Sequence, residues 1–118
     1  MANTAVLRVV GQTQSIAVSN SSSTSVFITP TNNDQANYAA FLNTGANPVA
    51  VVVSPAATAP AAVFPATSTL GGFVLPASMT QPVVLAVPYS NPGGGFSVTA
   101  ITGTGSSTLY VTAIGDQS

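Results

Sequence analysis

The chain has 118 residues, 46% of them hydrophobic and only 3% charged, with a formal net charge of −1. Disorder needs the opposite balance, so the chain is expected to fold, as a single domain over residues 1–118. One basic residue is too few for a phosphate-binding patch, which excludes nucleic acid as a partner, and no run nears the roughly 18 apolar residues of a membrane span.

Ala5–Val10 is the first candidate strand, closed by a turn at Gly11-Gln12-Thr13, and Ile16 with Val18 marks a second. Asn20-Ser21-Ser22-Ser23 is a polar turn leading into Thr24–Thr29, where Val26 and Ile28 share a face. Asn20-Ser21-Ser22 also fits the glycosylation pattern, a chance match in a chain with no visible secretion signal. Pro30–Asn37 is a loop rich in Asx-turn formers. Tyr38–Asn43 and Pro48–Ser54 read as strands joined in a hairpin by Thr44-Gly45-Ala46-Asn47; a helix over NYAAFLN is too short to compete.

Ser54–Pro65 holds Pro55, Pro60 and Pro65, which forbid a central strand. Two readings fit it: an arm lying on a partner with Phe64 as apolar anchor, or a crossover between two sheets, which is favoured. Leu70–Leu75 is another short strand, and Pro76–Pro82 is a turn region. Val83–Val87 is apolar throughout and reads as a central strand covered on both faces. Phe96–Ile101 and Thr108–Ile114 alternate with period two, and the intervening TGTGSS predicts that they pair as a hairpin. About nine short strands with turn signals every 8–12 residues predict an all-β fold, an antiparallel β-sandwich or jelly-roll-like body.

Catalytic chemistry has few residues to use. The chain lacks His, Cys, Lys and Glu, leaving Asp34, Asp116 and three tyrosines as general acids or bases. Asp34 sits in an Asn-rich loop and Asp116 reads as part of a frayed end, so paired-carboxylate work is not expected. A serine nucleophile lacks a base, and zinc lacks ligands; Asp34 beside Asn32 and Asn33 would hold calcium only weakly. Gly93-Gly94-Gly95 and Gly103-Thr104-Gly105 lie between strands rather than opening a helix, so neither is a phosphate cradle. The expectation is a protein that is not an enzyme, with no catalytic, cofactor-binding or metal-binding residues.

What remains is association. With so little charge, copies do not repel one another, and two readings fit a surface of Ser, Thr, Asn, Gln and Gly: cover in an assembly, which is favoured, or an extracellular life. The interface is expected around Arg8, on the loop residues Pro55, Pro60, Phe64 and Pro65, and at Tyr110 on the polar face of its strand.

The start MANTAVLRVVGQTQSIAV, the AFLNTGANPVAVVVSP segment, and VLPASMTQPVVLAVP followed by LYVTAIGDQS resemble the capsid decoration (cement) and auxiliary head proteins of tailed bacteriophages. The resemblance implies a β-sandwich or jelly-roll body that binds outside an assembled shell and contacts the major capsid protein and itself, as a dimer or trimer. It implies a virion location at the capsid surface after synthesis in the host cytoplasm without a signal peptide. Such proteins share no site motif, so no functional residues carry over. Alternatives are a phage tail, fibre or head–tail component, and a self-assembling surface subunit or glycan-binding module resting on tyrosine contacts.

Overall fold

The computed structural model describes residues 7–29, 38–56, 58–87 and 95–116. They hold nine strands: β1 (Leu7–Val9), β2 (Gln14–Val18), β3 (Val26–Ile28), β4 (Tyr38–Asn43), β5 (Val49–Ser54), β6 (Phe73–Leu75), β7 (Val83–Ala86), β8 (Phe96–Thr102) and β9 (Ser107–Asp116). All pairings are antiparallel. One sheet, here sheet A, runs β1-β9-β4-β7 with β2 also on β9; the other, sheet B, runs β3-β8-β5-β6. The two pack face to face as a β-sandwich, the expected all-β class.

Period-two patterning builds the core. Ala39 and Phe41 of β4 and Leu109, Val111 and Ala113 of β9 point inward from sheet A. Val49 and Val51 of β5, Leu75 of β6, and Phe96, Val98 and Ala100 of β8 meet them from sheet B. Phe41 and Phe96 are the largest side chains sealed in this layer. Burying each stabilises the fold by about 1.5–3 kcal/mol before the entropy of ordering is subtracted.

Three sequence expectations about pairing are corrected. β4 and β5 are not a hairpin: β4 pairs with β7 and β9 in sheet A, and β5 with β6 and β8 in sheet B. β8 and β9 likewise lie in different sheets. Residues 44–47 and 103–106 are therefore arches that carry the chain from one layer to the other. Glycine and asparagine serve an arch as well as a hairpin, which is why composition could not tell them apart. Gly105 takes φ +69°, the left-handed conformation that glycine adopts without steric cost. Third, β7 is an edge strand, paired only with β4, and half its side chains are exposed.

The arches are welded together at one end of the sandwich. The Asn43 side chain, fully buried, donates from Nδ2 to the carbonyls of Asn47 (2.9 Å) and Pro76 (3.0 Å), while its Oδ1 accepts from the Gly45 N–H (3.1 Å). Ser107 Oγ donates to Asn47 O (2.7 Å) and accepts from Asn47 N–H (3.1 Å). The 76–82 turn joins this end through Ser78 N–H to Gly45 O and Met79 N–H to Asn43 O.

The segment after β5 also departs from expectation. β5 and β6 are neighbours in one sheet, so residues 55–72 are no crossover between sheets. The described residues among them fold back over the outer face of sheet B. Ser97 and Thr99, the polar positions of β8, are 0% and 2% exposed because this segment covers them. Their hydroxyls donate to the carbonyls of Ala56 and Pro60, and the N–H groups of Ala59 and Ala62 bond Ser25 Oγ (2.9 Å) and Ser22 Oγ (2.8 Å). No buried side-chain nitrogen or oxygen among the described residues lacks a partner, as burial requires.

On one side the sandwich is closed by continuous chain. Opposite β9, four residues (Val10–Thr13) face two (Thr112 and Ala113), a bulge that lets Val10 turn inward. After β2 the chain leaves β9 and runs beside β8, with Thr102 N–H on Ser19 O and Ser23 N–H on Ala100 O, before becoming β3. The other side, between the edge strands β6 and β7, has no such strap among the described residues.

Candidate interaction surfaces

The outer face of sheet A departs from the usual alternation. A sheet with one solvated face puts polar residues outward. Here the register places Ala40 of β4 between Thr112 of β9 and Val84 of β7, with Leu42 opposite Tyr110 and Val9 opposite Ile114. These residues, with Thr13 and Pro82, line a groove of about 590 Å³. Val9 is 65% exposed on its rim and Val84 is also exposed. The hydroxyls of Thr13 and Thr112 bond each other across 2.7 Å, so the groove floor offers little unspent hydrogen-bonding capacity beyond the Tyr110 hydroxyl. A small-molecule site needs several convergent polar groups to fix its ligand. This groove is shaped for apolar contact.

A second apolar feature stands on the sheet B side. Residues 63–72 form a small hairpin-like projection. Ala66 and Thr69 exchange both backbone hydrogen bonds (3.0 and 3.1 Å), and Gly72 N–H donates to Val63 O (2.9 Å). Leu70 stands on this projection 96% exposed, with exposed Val63 beside it. On the neighbouring edge strand β6, Val74 is exposed on the outer face, while Phe73, also exposed, turns to the other side.

The third lies at the unstrapped side. A cleft of about 210 Å³ opens between β6 and β7, walled by Phe41, Val51, Val53, Phe73, Leu85, Ala86 and Val87. Core side chains reach its floor.

The described residues that line the three surfaces are all uncharged. The chain's charged residues are Arg8, Asp34 and Asp116. Asp34 lies outside the described residues. Asp116 closes β9 opposite Leu7, so the backbone expected to fray is paired. No group of three or more His, Cys, Asp or Glu stands together among the described residues.

The expected interface residues are split by the fold. Arg8 lies in β1, opposite Gly115 of β9, and Tyr110 lies on the outer face of sheet A within the groove. Pro55, Pro60, Phe64 and Pro65 belong to the segment folded over sheet B. The Pro60 carbonyl is taken by Thr99, and the half-buried Phe64 ring lies against Gly103, about 3.3 Å from where a Cβ would sit there. The most exposed large apolar side chain of the loop is Leu70. Sequence reasoning missed it, together with Val9, Leu42 and Val84. The available signal was Leu70-Gly71-Gly72, a large apolar residue on the shoulder of a tight turn.

No family model, curated protein or solved structure matches the chain.

Proposed function

We propose that the chain is a structural virion protein of the decoration type, binding the outside of an assembled phage capsid and stabilising it. The observation that supports this reading is the outer face of sheet A: a groove whose described lining is mostly apolar, on a β-sandwich whose other sheet is covered by its own chain. Such a face is suited to repeated contact with protein, where many weak interfaces over a lattice add up. Binding only the assembled shell stabilises it by mass action. The major capsid protein is the proposed partner, and no catalytic step or cofactor is invoked. A tail, fibre or head–tail location would use the same surfaces, and particle location separates it. A glycan-binding reading draws on Tyr38 and Tyr110, which share the outer face of sheet A. It ranks second because the groove walls between them are largely aliphatic.

The test mixes purified protein with capsids that lack it and measures co-sedimentation and heat resistance. Saturable binding with a raised disruption temperature supports the decoration role and gives the copy number. Absence of binding at any ratio overturns it.

A further inference from the structure

We propose that the chain associates head to tail with a second copy, the Leu70 projection of one seated in the sheet A groove of the next. The two surfaces are matched in chemistry. The projection shows Leu70 and Val63, and the groove around Ala40 is walled by Val9, Leu42, Val84 and Ile114. The described residues of both surfaces are uncharged, so their contact with each other buries no ionic side chain. A charged partner would forfeit its hydration here with nothing in return.

Geometry forbids the contact within one molecule. The projection springs from the loop between β5 and β6 of sheet B, whereas the groove is the far face of sheet A, beyond the whole core layer. The projection is also held in shape rather than trailing. A Cβ at Gly71 would collide with Val63 O and Pro65, and one at Gly72 would lie 2.6 Å from Val51 O. Together with the reciprocal Ala66–Thr69 hydrogen bonds, this holds Leu70 outward before any partner arrives, so little order remains to be imposed on docking. The groove's volume of about 590 Å³ is ample for a Leu and a Val side chain together. Because the two surfaces differ, the contact is heterologous and generates a ring or a filament according to its rotation. The inference does not depend on capsid binding.

The absence of cysteine allows a clean test. Chains bearing Leu70→Cys and chains bearing Ala40→Cys are mixed at equal concentration and mildly oxidised. The expected result is a 70–40 intermolecular disulfide in preference to either homodimer, since only seated docking brings the two Cα atoms within the roughly 4.4–6.8 Å a disulfide needs. Sedimentation velocity of the unmodified chain is expected to show concentration-dependent association, weakened at least about tenfold by Leu70→Asp. Leu70 is almost fully exposed, so the Asp variant keeps its fold, which circular dichroism checks. A 40–40 product instead would mean that the grooves meet face to face and would overturn the proposal. So would an unmodified chain that stays monomeric throughout.

Discussion

Replacing Asn43 with leucine separates hydrogen bonding from space filling at the welded end of the sandwich. Asn43 is fully buried, and leucine has the same branching with a somewhat larger volume, so a purely steric role predicts only a modest overpacking cost. The hydrogen bonds predict a further loss. Removing the amide takes the donor from Pro76 O and the acceptor from Gly45 N–H, while Asn47 O keeps Ser107 Oγ at 2.7 Å. Two backbone groups lose their partner, at about 1–3 kcal/mol each. Pro76 is exposed, so water repairs part of that loss, and the expected net cost is about 2–4 kcal/mol. Against a total stability of about 5–15 kcal/mol this is a large fraction. In urea, at an m-value of about 1.5 kcal/mol/M, the unfolding midpoint falls by about 2 M with the slope unchanged. Asn43→Ala, which admits water to the same groups, is expected to lose no more than the leucine variant. A leucine variant as stable as the parent would refute the claim that Asn43 holds the arches through its amide.

Thr99→Val keeps the shape of the side chain but removes the 2.6 Å bond to Pro60 O; it is expected to cost about 1–2 kcal/mol. Hydrogen exchange at the Ala59 and Ala62 amides should quicken roughly tenfold, because the 55–62 segment opens locally, and unchanged exchange would show that it is held by other contacts. Ser78 takes φ +53°, where a side chain costs about 1–2 kcal/mol. Ser78→Gly is therefore expected to raise the melting temperature by about 3–6 °C, and a fall would mean that its side chain contributes to the turn.

Strand positions were legible in the residues; strand partners were not. Tyr38–Asn43 stands where the alternation put it, and Phe96, Val98 and Ala100 turn inward together as their spacing implied. Period two reports that a segment has two faces, not which neighbour it pairs with. Thr44–Asn47 and Gly103–Ser106 consequently looked like hairpin turns although both bridge layers. Val83–Val87 looked central because apolar residues on both faces usually mean cover on both; here the second face opens into the groove. Ser97 and Thr99 show the converse, since only the folded-back loop makes their side of β8 an interior. Surface exposure depends on such long-range placement, so Tyr110 could be put on an outer face from its alternation while the exposure of Leu70 could not be read.

The place of β9 in the chain has a kinetic consequence. It is the last strand in sequence order, yet β1, β2 and β4 all take their hydrogen bonds from it. Until residues 107–116 arrive, sheet A is only the β4–β7 pair, and β1 and β2 have no strand to pair with. Each pairing with β1 and β2 joins segments almost a chain length apart, which places folding in the slow, millisecond-to-second regime of non-local β topologies. An unfinished chain of this composition exposes apolar strands without a lysine to keep them apart. Refolding yield should accordingly fall with protein concentration, even though the finished sandwich satisfies its buried hydrogen bonds.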